Sequence, residues 1–140
     1  MKHLELFENF ITNIFRNKKY DKLIKLGNFF ADFINKNILT CNAESRNYNT
    51  SIDIFIDTRF LRDINIIRLY YYNDDTISGY FYPFPSNYDK ELENLKDFFY
   101  FTFNTTKRFF DIKIDEINDI MNKITKENFD AFLDMKKYNL

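Results

Sequence analysis

Residues 51–84 read SIDIFIDTRFLRDINIIRLYYYNDDTISGYFYPF, and this stretch decides the fold class. Its first part places Ile52, Ile54 and Ile56 at every second position, which is the period of a β-strand with one buried face. A helix would need apolar residues every three to four positions instead. The sequence therefore predicts a half-buried strand here, followed in the chain by further strands.

The same period continues in two more segments, which predict strands over residues 65–72 and 76–84. The connection Asn73–Thr76 predicts a hairpin turn, because Asn and Asp side chains bond to their own backbone and tolerate turn dihedrals. Pro83 is expected to end the last strand, since proline lacks the N–H that a strand donates. The three strands together predict an antiparallel meander.

Helical spacing precedes the strands. Apolar side chains recur three and four positions apart at Phe7, Phe10, Ile11, Ile14 and Phe15. The polar segment Asn17–Lys19 interrupts this stripe, so the pattern predicts one helix before it and a second over residues 20–37. Gly27, unfavourable in the middle of a helix, predicts a close crossing with another element. The polar residues 42–50 are expected to form a loop.

Helical spacing returns on the C-terminal side. Ser86 is expected to be the N-cap of a helix, with Asp89 as an acid in its first turn. The inward line of that helix consists of Leu92, Leu95, Phe99 and Phe103. A short helix is predicted within residues 114–124, and Thr125 is expected to cap a final one.

This order of elements indicates the α+β class, because the strands and the helices are segregated along the chain. We expect one domain over residues 1–140. Its three-stranded antiparallel sheet would lie between the N-terminal and C-terminal helices, which cover one face and leave the other partly open.

The composition limits the kinds of partner and compartment. The 140 residues carry 20 basic and 21 acidic side chains, for a net charge of −1. Proteins that bind nucleic acid usually have a basic stripe and a high pI, so direct nucleic-acid binding is not expected. No apolar run approaches the length of a membrane span, and no membrane partner is expected. One cysteine and an N-terminus unlike a signal peptide predict a cytoplasmic location.

The residue types that serve most catalytic sites are scarce. His3 is the only histidine, and it lies in a terminal segment that is expected to fray. Cys41 is the only cysteine, and nothing near it in sequence would lower the pKa of its thiol. The two glycines, Gly27 and Gly79, cannot build a phosphate-binding loop. The sequence therefore predicts a protein that is not an enzyme and has no catalytic residue, metal or cofactor.

Carboxylates are the remaining source of catalytic chemistry. Asp53 and Asp57 share one face of a predicted strand, where ~3.3 Å per residue separates them by about 13 Å. That distance is too long for the acid–base pair of a glycosidase. A Mg²⁺ site formed by Asp53, Asp57 and Asp63 stays open as an alternative, in which the chain would be a metal-dependent nuclease.

The second and third predicted strands supply a candidate binding surface. If Ile67 and Leu69 face the helices, strand alternation turns the intervening side chains outward. The outward set then consists of Arg68, Tyr70, Tyr72, Tyr80 and Tyr82. Tyrosine and arginine dominate the hot spots of protein interfaces. With Asp53 and Asp57 on the first strand, and Asp74 and Asp75 in the turn, these residues are predicted to bind a protein partner.

In size and in its richness in Phe, Tyr, Ile and Asn, the chain resembles the immunity proteins of bacterial toxin systems, notably those of contact-dependent growth inhibition. The resemblance covers the whole chain but no residue pattern, so it assigns no functional residue. It implies a non-catalytic inhibitor that binds a cognate toxin domain, often a nuclease, and neutralises it. A phage-encoded inhibitor of a host defence protein is an alternative with the same mechanics. The oligomeric state stays open.

Overall fold

A computed structural model describes residues 2–48, 50–84, 89–105 and 108–138, with side chains from residue 20 onward. In chain order the elements are α1 (Lys2–Asn37), β1 (Cys41–Tyr48), β2 (Ser51–Thr58), β3 (Ile64–Asn73), β4 (Thr76–Phe81), α2 (Lys90–Thr102), β5 (Phe109–Lys113), a short 3-10 helix (Ile114–Glu116), α3 (Ile117–Lys123) and α4 (Lys126–Tyr138).

The strands form one antiparallel sheet in the order β1-β2-β3-β4-β5, so every strand pairs with its neighbour in sequence. This arrangement confirms the α+β class and an antiparallel sheet flanked by helices. The predicted number of three strands is wrong, because the sheet has five. Both additional strands lie at the edges of the sheet.

β1 occupies residues that were predicted to be a loop. Its sequence, CNAESRNY, lacks large alternating apolar residues because only small side chains face α1. Ala43 packs against the core, and the Ser45 hydroxyl is hydrogen-bonded to Asn28 of α1. An edge strand beneath a closely packed helix therefore carries no hydrophobic signal of its own.

β5 is the other strand that the sequence pattern missed. Phe110 and Ile112 face inward and are buried, whereas Phe109 and Asp111 are exposed. This alternation covers only five residues and directly follows the aromatic-rich end of α2. Because aromatic residues are frequent on both sides of β5, this short alternation does not stand out in the sequence.

α1 is one continuous helix where two were predicted. The polar Asn17–Lys19 segment interrupts the apolar stripe but not the backbone, because lysine is a good helix former. The predicted apolar stripe from Phe7 to Phe15 lies outside the described side chains. No helix within the described residues has the length and apolarity needed to cross a bilayer.

The hydrophobic core lies between the helices and one face of the sheet, which we call the inner face. Fully buried side chains at its centre include Leu26, Phe30, Ile52, Ile54, Ile67, Leu69, Phe81 and Phe99. The ring of Phe99 packs against Phe30 and Phe81 at centroid distances of 5.5 and 6.0 Å. Gly27 allows α1 to approach the sheet as predicted, since a Cβ there would collide with the side chain of Ile52.

Several element ends have identifiable causes. β4 ends at Phe81, earlier than predicted and two residues before Pro83. Asp89 is itself the N-cap of α2, with its carboxylate accepting from the N–H groups of the next turn, whereas the predicted cap Ser86 lies outside the described residues. Thr125 caps α4 as predicted, because its hydroxyl accepts from the N–H of Asn128 at 3.1 Å.

Candidate protein-binding surface

The sheet register aligns side chains on the face opposite to the helices, which we call the outer face. Arg46, Asp53, Arg68, Tyr80 and Phe109 occupy one row across all five strands. The neighbouring positions of the outer face hold Tyr48, Phe55, Tyr70 and Tyr82, and Tyr72 lies at the irregularity of β3 between Tyr71 and Asn73. Because α1 and α2 lie against the inner face, the outer face is turned toward solvent.

Two tyrosines of the outer face, Tyr80 and Tyr82, pack against each other. The Tyr80 ring lies 4.8 Å from the Tyr82 ring in an edge-on arrangement, and 4.8 Å from the Phe109 ring. Tyr70, Tyr80 and Tyr82 are half-buried, while Tyr72 is 71% exposed. The structure therefore places Tyr70, Tyr80 and Tyr82 on the side that the sequence predicted for them, and it brings Tyr80 and Tyr82 into contact.

Asp53 is buried beneath the outer face, contrary to its predicted position as an exposed flank of the tyrosines. Its side chain is only 1% exposed. Its carboxylate accepts two hydrogen bonds from the Arg68 guanidinium, at 2.9 and 2.8 Å, and a third from the Asn65 amide at 2.9 Å. Asp53 can therefore influence a partner only through Arg68, whose orientation it determines.

Arg68 connects this buried carboxylate to the aromatic surface. Its exposed guanidinium lies 5.7 Å from the centre of the Tyr82 ring. The hydrogen bonds that Arg68 donates to Asp53 raise the pKa of Arg68 further above its ordinary value, so the cation is permanent. A fixed cation beside several half-exposed tyrosines has the composition of an interface hot spot.

Arg46 forms a second centre of the outer face. Its guanidinium lies 4.1 Å from the centre of the Phe55 ring and is hydrogen-bonded to Glu44 and Asp63. Those two hydrogen bonds raise the pKa of Arg46 above its ordinary value. Arg46 thereby links β1, β2 and the loop that precedes β3.

The three carboxylates of the proposed Mg²⁺ site do not converge. Asp53 is held by Arg68, Asp57 accepts from the N–H of Asp63 at 2.8 Å, and Asp63 pairs with Arg46. Within the described part of the chain, no three acidic, cysteine or histidine side chains are placed to hold a metal ion. Asp57 is half-buried at the end of the outer face that adjoins Asp63.

Asp74 and Asp75 lie at the opposite end of the sheet. They are exposed in the β3–β4 turn, separated from Asp57 by roughly the 30 Å length of β3. They line a cleft of about 640 Å³ together with Lys22, Tyr71 and Lys113. The structure thus places the predicted site residues along the whole length of the sheet and not in one cluster.

Cys41 is the first residue of β1 and is buried. Burial, with the nearby carboxylates of Asp89 and Glu91, raises the pKa of its thiol to about 12. The thiolate needed for nucleophilic attack is therefore scarce at neutral pH.

Three residues of this surface escaped the sequence pattern. Arg46 lay in a predicted loop, and Phe109 lay in an unrecognised strand. Phe60 lies in the β2–β3 loop and is the most exposed phenylalanine described. The one sequence signal for Phe60 was its position between Arg59 and Arg62, where an apolar pair interrupts a polar loop.

Comparisons with known proteins found no match. No family model, no curated protein and no solved structure matches this chain. The function therefore has to be inferred from the surface of the protein itself.

Proposed function

We propose that the chain is a protein-binding inhibitor of the immunity type, which neutralises a cognate toxin domain by covering it with the outer face. The observation that carries the proposal is the group of exposed Arg68 and half-buried tyrosine side chains on a sheet whose other face is filled by helices. Tyrosine supplies a large contact area at a low conformational entropy cost, because it has only two side-chain torsions.

The rigidity of this surface supports the same function. Arg68 is fixed by two hydrogen bonds to Asp53, and Tyr80 is fixed between two neighbouring rings. Side chains that are already ordered lose less entropy when a partner binds. A sheet face with pre-positioned anchors favours tight binding of one folded protein over loose binding of many.

The decisive experiment uses the protein encoded by the gene immediately upstream of this one, which the proposal expects to be a toxin. Its C-terminal domain is expressed in a bacterial host with and without this chain, and the purified pair is titrated by calorimetry. We expect rescue of growth and a stoichiometric complex. Absence of a toxin in the neighbouring gene, or toxicity that this chain leaves unchanged, would refute the proposal.

A matched pair of tyrosine variants locates the binding surface. Tyr72 near the end of β3 is 71% exposed and Tyr138 on α4 is 63% exposed, so neither substitution to alanine removes core packing. Tyr72→Ala is expected to weaken the complex roughly tenfold or more, the loss of over 1 kcal/mol typical of a contributing interface residue. Tyr138→Ala is expected to leave affinity unchanged. The reverse result would move the binding surface to the helical side.

A further inference from the structure

The β2–β3 loop, residues 59–63, presents an apolar side chain to solvent. Phe60 is 81% exposed, although the chain buries most of the phenylalanines that the structure describes. Leu61 next to it is also exposed, and Arg59 and Arg62 flank the pair. Four consecutive exposed residues, two of them apolar, are therefore displayed at one end of the sheet.

The loop is held in one conformation by its own hydrogen bonds. The Thr58 N–H donates to the carbonyl of Leu61 at 2.8 Å, and the Thr58 hydroxyl accepts from the N–H of Leu61 at 3.0 Å. The N–H of Asp63 donates to Asp57 at 2.8 Å, and Asp63 has a φ of 53°. Phe60 is thus displayed on a closed turn, so little backbone entropy would be lost on binding.

The charges around Phe60 indicate the chemistry of its partner. The Arg59 guanidinium lies 5.3 Å from the centre of the Phe60 ring, and the Arg62 side chain is 78% exposed. Directly behind them stand the carboxylates of Asp57 and Asp63. Asp57 is paired with Arg62 and Asp63 with Arg46, so the loop carries little excess positive charge to attract the phosphates of a nucleic acid or an anionic membrane. An apolar anchor with cations at its tip and acids at its base suits a protein pocket that is apolar inside and carries carboxylates at its rim.

The loop is continuous with the outer face. Arg46 lies over Phe55 on the outer face and pairs with Asp63 in the loop. A protein that covers the outer face would therefore meet the loop at the same time.

We propose that Phe60 is the anchor of this interface and inserts into an apolar pocket of the partner protein, with Arg59 and Arg62 meeting carboxylates at the pocket rim. This inference rests on the proposed function, and it names the residue that carries most of the binding. The β2–β3 loop would then be a specificity element that projects beyond the flat tyrosine surface.

The test uses the full chain and the toxin domain encoded by the neighbouring gene, with calorimetry as the measurement. Phe60→Ala is expected to weaken binding roughly thirtyfold or more, as truncation of a hot spot does. Phe101→Ala is the matched control, because Phe101 is 59% exposed on α2. Its affinity should equal that of the wild type. The double variant Arg59→Ala/Arg62→Ala should weaken binding and flatten its dependence on salt concentration.

The possible outcomes separate the two proposals. If the wild type binds and Phe60→Ala binds equally well, Phe60 is not the anchor and the proposed function stands. If the wild type does not bind the toxin domain, both proposals are wrong. Two further probes are vesicles of three parts phosphatidylcholine to one part phosphatidylglycerol and a single-stranded RNA oligonucleotide. If the wild type binds either probe and Phe60→Ala abolishes that binding, Phe60 contacts a membrane or an RNA and the proposed protein partner is wrong.

Discussion

Asp53 of β2 and Arg68 of β3 lie opposite one another and share a two-pronged ion pair, with the carboxylate buried and the guanidinium at the surface. The buried Asp53 carboxylate is part of the protein interior, and the exposed Arg68 guanidinium is part of the candidate interface. Such an arrangement makes stability and surface geometry depend on the same two side chains.

Removal of the cation should destabilise the protein. In Arg68→Ala the Asp53 carboxylate would keep only the Asn65 amide as a side-chain partner, and a buried charge without its counter-ion typically costs about 3 kcal/mol. The free energy of unfolding in urea measures the effect. Arg62→Ala is the control, because its exposed 3.6 Å contact with Asp57 should contribute under about 0.5 kcal/mol. Equal stability of the two variants would contradict the buried role of Asp53.

The free edge of β1 is protected by a side chain of α1. The Asn35 amide donates to the carbonyl of Ala43 at 2.8 Å and accepts from its N–H at 2.7 Å, as a neighbouring strand would. Asn35→Ala should lower the free energy of unfolding by about 1–2 kcal/mol. It should also increase self-association, because an uncovered strand edge pairs with other chains.

Sedimentation velocity at several concentrations measures that self-association. Asn37→Ala provides the comparison, since Asn37 makes a single hydrogen bond to the Phe33 carbonyl within α1 and lies off the strand edge. If Asn35→Ala self-associates no more than Asn37→Ala, the Asn35 amide does not protect the edge of β1 from pairing with other chains.

Gly79 should not tolerate a side chain. It pairs with Phe110 across β4 and β5, and a Cβ at this position would fall within the Phe110 ring. Gly79→Ala is expected to cost about 2 kcal/mol, as overpacking of a core does. In the double variant with Phe110→Leu the two effects should fall short of their sum, because the smaller side chain makes room for the Cβ. Strict additivity in a double-mutant cycle would show that the ring is not the obstacle.

Stability should decline at alkaline pH. Burial raises the pKa of the Cys41 thiol from 9.0 to about 12 and that of the Tyr71 hydroxyl from 10.0 to about 12. The unfolded chain loses these protons first, so the stabilisation is complete below pH 9 and is lost as pH rises toward 12. Urea unfolding between pH 8 and 11 measures this decline. Cys41→Ala should make it shallower, and an identical decline in that variant would exclude the thiol as a cause.

The thiol also offers a direct kinetic readout of its burial. At pH 8 iodoacetamide should modify Cys41 far more slowly in the folded protein than in urea, because the thiolate is scarce and covered when the chain is folded. Equal rates in the two states would contradict the burial of Cys41.

The strands with large apolar side chains at every second position could be predicted from sequence, and the edge strands could not. The alternation of Ile52, Ile54 and Ile56 predicts β2, because that strand is central and its inner face fills the core. β1 lies at the edge beneath Gly27 and Asn28, and its small Ser45 side chain is hydrogen-bonded to Asn28. The small side chains of β1 are therefore explained by its contact with α1, and this contact cannot be predicted from the local sequence pattern.

For the candidate surface too, one feature could be predicted from sequence and another could not. Strand alternation alone assigns Arg68, Tyr70 and Tyr80 to one side, since it depends only on the geometry of extended backbone. Asp53 shares that alternation, yet it is buried because Arg68 and Asn65 close over it from the adjacent strand. Whether an outward side chain reaches solvent is decided by its neighbours in space.

The sequence by itself determined the α+β class, the positions of β2, β3 and β4, and the side of the sheet on which the tyrosines lie. These features follow from periods of two and of three to four residues, which are local properties of the backbone. Only the tertiary structure decided that the sheet has five strands, that Asp53 is buried beneath Arg68, and that Arg46 joins the Phe60 loop to the outer face. Those features depend on contacts between residues far apart in the chain, and the energies of such contacts leave no periodic trace in the sequence.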